Sequence, residues 1–183
     1  GSAEFVRPIH WIVMLADSEV IPADILSIKT GNQSRGHRFH HPALVTISAP
    51  NTYADQLKAA YVVADFAERR ETIRSQVQAT AKQIGGLAIM PDSLLDEVTA
   101  LVEYPNTVVG KFEERFLSVP QEALIYTMQG DQKYFGLTDQ QGKLLPSFIT
   151  ISNIKSSNPE SVSRGNERVI RPRLTDAEFF YNT

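Results

Sequence analysis

Thr30-Gly31-Asn32-Gln33-Ser34-Arg35-Gly36-His37-Arg38-Phe39-His40-His41-Pro42 holds three of the four histidines and nearly spells a phosphate-binding loop, because four residues separate Gly31 from Gly36. The chemistry fails at the end of the match: His37 and Arg38 stand where a lysine and a serine or threonine are required. Pro42 and an alternating apolar run follow, so no helix N-terminus is aimed at a phosphate. A nucleoside triphosphate site is rejected. What remains is a glycine-hinged basic loop. The guanidinium forks of Arg35 and Arg38 suit phosphate oxygens, and the imidazoles of His37 and His40 can donate hydrogen bonds or lie flat on a base. Two further readings stand beside it. One is an irregular connection between strands with Phe39 plugged into the core. The other is a zinc site from His37, His40 and His41, which lacks a cysteine or nearby carboxylate, so no metal is predicted.

Outward from the loop, strand and helix signals alternate without a βαβ rhythm. Ile9 to Leu15 is a short apolar run ending at Asp17-Ser18, a buried strand that pairs with Glu19 to Thr30 in a hairpin, with Pro22 confined to an edge or bulge. Ala43 to Ser48 is another strand, Thr52 to Tyr61 a short helix, and Val62-Val63 strand-like. Asp65 and Glu68 form a capping box for a helix whose Phe66, Ile73, Val77 and Ile84 share one face, whose charges are solvated, and which stops at Gly85-Gly86. Asp92 caps a second helix carrying Leu94, Leu95, Val98, Leu101 and Val102, ended by Pro105. Thr107 to Phe116 is a strand and Pro120 to Met128 a helix. Tyr134-Phe135 enters a strand as core, with Lys133 beside it able to reach a phosphate. Asp139 to Gly142 turns into the strand Ser147 to Ser152. The fold class is α+β: a single mixed domain with a largely antiparallel or mixed β core and peripheral helices.

After the polar linker Lys155 to Pro159, Ser161 to Phe180 reads as a helix. Arg164, Arg168 and Arg171 recur at i, i+4 and i+7 as a phosphate rail, opposite Val169, Ile170, Leu174 and Ala177. Arg173 falls within the apolar stripe, so either Pro172 breaks the helical phase or Arg173 pairs, with Asp176 the nearest partner. The alternative to a rail is an arginine row neutralised by Glu167, Asp176 and Glu178. Phe179-Phe180-Tyr181 at the end leads to the expectation that the chain was cut from a longer polypeptide.

Composition limits the functions available. The 183 residues carry a formal charge of −3 with a pI near 5.8, so any contact with nucleic acid is local and not through bulk charge. The absence of cysteine excludes disulfides, thiolate metal sites and cysteine nucleophiles. No run reaches membrane-spanning length and no signal-peptide pattern opens the chain, so a soluble, cytoplasmic protein without a membrane partner is expected. Gly1-Ser2 reads as an expression scar, leaving residues 3–183 as the domain.

Taken together, Phe5-Val6-Arg7-Pro8-Ile9-His10-Trp11, Arg35-Gly36-His37-Arg38-Phe39-His40, Gly130-Asp131-Gln132-Lys133-Tyr134-Phe135 and the long run Gly165 to Phe180 resemble the N-terminal part of the β subunit of bacterial two-subunit glycyl-tRNA synthetase. Gly136-Leu137 departs from the expected Pro-Val. The resemblance implies a parent enzyme, glycine-tRNA ligase, that attaches glycine to its tRNA with ATP and Mg at a class II active site on the separate α subunit. It implies that the β chain supplies tRNA recognition and assembly, with an HD-type domain next in the chain. It also implies a fold similar to the B3/B4 domain of the phenylalanyl-tRNA synthetase β subunit.

Three roles are then open for this region. It contacts tRNA through Arg35, His37, Arg38, His40, Lys133, Arg164, Arg168 and Arg171 without catalytic residues or a cofactor of its own. Alternatively, it hydrolyses mischarged tRNA using a loop histidine as base. Or it is a structural module that buries Phe179 and Phe180 in a neighbouring domain.

Overall fold

The computed structural model describes residues 8–183, so the readings of Gly1-Ser2 and of Phe5-Val6-Arg7 lie outside the described residues. The chain divides into two compact units, Gly1–Asp65 and Phe66–Thr183, at a point that no linker composition marks. Strands and helices are interspersed in the α+β manner expected, compatible with a B3/B4-like architecture.

The first unit contains β1 (Ile12–Val13), β2 (Leu15–Ala16), β3 (Glu19–Val20), β4 (Asp24–Ile25), β5 (Ile28–Gly31), β6 (Gln33–Arg35), β7 (Leu44–Thr46) and α1 (Tyr53–Ala59). β5 lies between parallel β1 and antiparallel β4, β2 pairs with β3, and β6 with β7. The run Ile9 to Leu15 is therefore not one buried strand. It breaks at Met14, whose N–H reaches the Gly31 carbonyl at 3.1 Å, and it leaves Ile9 and Trp11 exposed. The hairpin at Asp17-Ser18 forms as expected, with Asp17 at φ 50. Between β4 and β5, Leu26 and Ser27 both take positive φ, the mirror-image turn whose twist matches a two-residue hairpin.

Val45, Ile47, Leu57 and Ala60 form this unit's core. Gln56 ties α1 to β7: its Nε2 donates to the Thr46 carbonyl at 2.7 Å, and its Oε1 accepts from the Ser48 N–H at 3.0 Å. Val62-Val63 is not a strand. The Val62 N–H closes α1 on the Leu57 carbonyl while Tyr61 N–H reaches Lys58, a Schellman closure with Tyr61 at φ 60 where glycine is usual.

The second unit is built on α2 (Phe66–Gln83), β8 (Leu87–Ala88), α3 (Asp92–Leu101), β9 (Asn106–Lys111), α4 (Gln121–Gly130), β10 (Phe135–Thr138), β11 (Leu144–Ser152) and α5 (Pro159–Asn182). Its sheet is antiparallel in the order β8-β10-β11-β9. Strand alternation sends Phe135, Leu137 and Ile149 to one face, against α2 and α3, and Phe148 and Leu144 to the other, against α4 and α5. Helices thus cover both faces. β9, with a free outer edge, is met there by α5: the Ser163 hydroxyl donates to the Val109 carbonyl at 2.6 Å, and Glu167 accepts from the Lys111 N–H at 2.9 Å. Buried Tyr134 stacks on Phe148 at 4.5 Å and donates to Asn166 at 2.9 Å. Burial pushes its phenol up to about 12, so it stays a donor across the physiological range.

Several elements depart from their sequence readings. Phe66, Ile84, Leu101 and Val169 are exposed, because each lies at a helix end or on the rim of its apolar stripe. Phe116 belongs to a 3-10 turn, Glu114–Ser118, and not to β9. Asp92 is the first helical residue after Pro91, not the cap. α2 stops as expected, Gly85 taking φ 79 and Gly86 N–H reaching Ala81 at 2.9 Å. α5 runs continuously through Pro172, and Arg173 is exposed, facing Asp131 at 3.7 Å instead of Asp176.

The charges of α2 are not simply solvated. Arg70 bonds both Asp92, at 2.8 Å, and Asp96, while Arg74 reaches Asp92 at 3.4 Å, clamping α2 to the start of α3. The hydrogen bond from Arg70, followed by its Coulombic attraction, holds the Asp92 carboxyl below its ordinary 3.8. A depressed folded-state value means the contribution is complete above the unfolded value and is lost as pH falls through the folded one. Asp92→Asn should therefore unfold at lower urea than the parent near neutral pH, with the two midpoints converging under acid. A gap that persists in acid would overturn this assignment.

Candidate nucleic-acid interface

The basic loop is not irregular throughout. Gln33 to Arg35 form β6, and residues 36–43 connect it to β7. The ideal Cβ of Gly36 would fall 2.7 Å from the His41 ring and 2.8 Å from Ala60 Cβ, so the backbone is pressed against α1. Gly31 ends β5, and the residues after Gly36 lead to β7 and not into a helix.

His37 holds the loop. Its side chain is buried, the residue being 1% exposed, and its Nδ1 accepts from the N–H groups of Phe39 and His40, each at 3.2 Å. Its own N–H reaches the Ala60 carbonyl at 2.8 Å, and its carbonyl accepts from His41. His37, placed in the predicted phosphate-contacting set, is thus buried as an internal anchor of the loop. His40 is half-buried, its ring 4.7 Å from His37 and 5.2 Å from Tyr61. Phe39, a core plug in the alternative reading of the loop, is 65% exposed beside Arg38, whose guanidinium lies 5.7 Å from the ring. Anchoring from the interior leaves Arg38 and Phe39 outward in the loop, next to Arg35, which is exposed at the end of β6.

The remaining predicted cations divide by their partners. Arg171 pairs with Glu113 at 2.6 Å, Lys133 with Glu97 at 2.8 Å, and Arg164 with Glu160 at 3.5 Å. The neutralising acids are not those expected: Glu167 serves β9, and Glu178 pairs with Arg115. Lys133 sits at φ 58 in the turn before β10, while Tyr134 and Phe135 are core, as read. Arg35, Arg38 and Arg168 are exposed and have no carboxylate partner among the described residues. Arg35 and Arg38 lie in the first unit, Arg168 on α5 of the second.

Two clefts flank Trp11 in the first unit. One, of about 590 Å³, is lined by His10, Trp11, Gln33, Ser34, Arg35 and Leu44. The other, of about 570 Å³, has Tyr53 on its wall and Ile47 and Leu15 among its apolar lining. Among the residues that line them, neither cleft includes His37, His40 or His41, while His10 lines the one that carries Arg35. Sequence reasoning missed Trp11 by assigning it to a buried strand. The available signal was a bulky ring with its own N–H donor between His10 and a short apolar run. On the second unit, Tyr126, Phe179, Phe180 and Tyr181 are exposed, and Tyr126 and Phe180 line one shallow cleft with Arg173.

A family model described as Glycyl-tRNA synthetase beta subunit matches residues 1–183. The chain is 60% identical over 179 residues to the glycine-tRNA ligase beta subunit of Azotobacter vinelandii, covering 98% of this chain and 26% of that protein. It is 60% identical over 178 residues to that of Pseudomonas putida, covering 97% and 26%. With the Hahella chejuensis subunit it shares 56% over 181 residues, covering 98% and 26%. The chain thus spans about a quarter of the length of these curated relatives.

Proposed function

The chain belongs to the glycyl-tRNA synthetase beta subunit family, and from that premise we propose that it is the part of a glycine-tRNA ligase β subunit that contacts the tRNA for glycine and scaffolds the assembly. Glycylation itself then occurs on the α subunit, where the class II site with ATP and Mg resides, and this chain supplies no catalytic residue. Its neighbours are the α subunit and the rest of the β chain, including an HD-type domain, in the cytoplasm. Among the described residues no helix is long and apolar enough to cross a membrane.

The observation that carries the RNA reading is the outward presentation of Arg38, by a loop whose buried His37 fixes it from within, next to exposed Arg35 at the end of β6. Guanidinium groups without a local carboxylate keep their full charge available to phosphate. The net charge of −3 favours a local attraction over a bulk one. The scaffolding reading rests on the exposed aromatic end of α5, an apolar group with the character of an interaction surface.

Alanine at Arg35, Arg38 and Arg168 together, made in the full α and β enzyme, should weaken tRNA binding by roughly tenfold or more at low salt. It should also reduce the salt dependence by about one unit of slope for each phosphate no longer engaged. Filter binding across ionic strengths reads both quantities, and an unchanged slope would sink the assignment.

A further inference from the structure

Trp11 forms a wall shared by the two clefts of the first unit, and their chemistries differ. The cleft carrying His10, Gln33 and Leu44 holds one cation, Arg35, whereas the one carrying Tyr53 has Val13, Met14, Leu15 and Ile47 on its lining and no cation. The indole does not swing freely: its Nε1 donates to the Ser34 Oγ at 3.2 Å, and Ser34 is itself buried on β6. His10 stacks near it, with ring centroids 6.4 Å apart and planes 27° from parallel. Trp11 nonetheless remains 41% exposed and Tyr53 40%. A tryptophan held by its polar edge while lining two open clefts leaves apolar ring area that packing has not covered.

We infer that this pair of clefts is a binding site for one unpaired nucleotide, whose base stacks on Trp11 on the Tyr53 side and whose adjoining phosphate meets Arg35 on the other. The site deepens the RNA reading and rests on it. Each cleft has a volume in the range of small-molecule sites. An aromatic platform beside a guanidinium is the combination that single-stranded nucleic acid requires: the ring tolerates any base, and the cation supplies the backbone contact. Duplex RNA does not meet the requirement, because its bases are already stacked. The fixed indole offers the face at little ordering cost, since the Ser34 bond already selects its rotamer.

The chain contains one tryptophan, so its intrinsic fluorescence reports Trp11 alone. Titration of the 183-residue chain with the tetraribonucleotide rA4 should quench that emission. An abasic tetranucleotide with the same phosphates should leave it nearly unchanged. Fluorescein-labelled rA4 followed by anisotropy extends the test to variants: Trp11→Leu should weaken binding by roughly tenfold, with Trp11→Phe retaining most of it. Arg35→Ala should weaken binding while quenching at saturation persists. Equal quenching by the abasic strand, or none by rA4, overturns the inference. So does shielding of Trp11 from acrylamide by the α subunit without RNA, which would make the clefts a protein-docking surface. The broader RNA reading fails separately, through the arginine salt series in the full enzyme, and survives a negative Trp11 result if that series behaves as expected.

Discussion

Gly110→Ala should lower the stability of the second unit by about 3 kcal/mol, at the upper end of what one added methyl group costs in a packed core. β9 and β11 place Gly110 directly opposite Phe148, and the ring lies across the glycine. A Cβ at residue 110 would fall 2.2 Å from the ring's Cζ, closer than any tolerated contact. The ring cannot retreat cheaply, because it is fully buried and stacked on Tyr134 with planes only 7° apart. Phe148→Ala should cost about 3–5 kcal/mol by leaving a cavity at the same place. The two lesions share one space. Their double variant should therefore be markedly more stable than the sum of the single losses implies, as coupled neighbours are. Urea unfolding of the four proteins measures the cycle, and strict additivity would show that the ring does not depend on the glycine.

His37→Ala is expected to destabilise the first unit by about 2–4 kcal/mol, combining a lost buried ring with two backbone donors left without their acceptor. Those donors belong to Phe39 and His40, so the damage falls on the loop that carries Arg38. His37→Asn, which can place an amide oxygen near the Nδ1 position, should recover part of the loss. Limited trypsin digestion provides a local readout: cleavage after Arg38 should accelerate in the alanine variant and less so in the asparagine one. If thermal stability falls but the loop stays as resistant as before, His37 is only core filling.

The sequence was most readable where one periodicity acts alone. α1, α4, the Asp139 to Gly142 hairpin and the glycine stop of α2 lie close to where propensity and turn chemistry put them. It was least readable where a contact distant in sequence decides. Strand character in Val62-Val63 was real, but the Val62 N–H was already used by the closure of α1. On its own helix Arg173 has Asp176 within reach, while the fold brings Asp131 from the end of α4. The same limit governed the candidate site. Arg35 and Arg38 were recognisable as cations, but that His37 faces inward and Phe39 outward depends on Ala60, whose carbonyl takes the His37 N–H. Trp11 was misplaced because apolar residue type alone cannot distinguish a core ring from a platform.

The seal along β9 has a different implication. Two side chains of α5, and not another strand, occupy its outer hydrogen-bonding groups. A helix holding a sheet margin in this way covers amides and carbonyls in the spacing that an extended peptide needs. The seam between α5 and β9 is therefore where this unit guards against strand invasion and self-association. The hydroxyl of Ser163 and the carboxylate of Glu167 matter there for solubility as much as for fold.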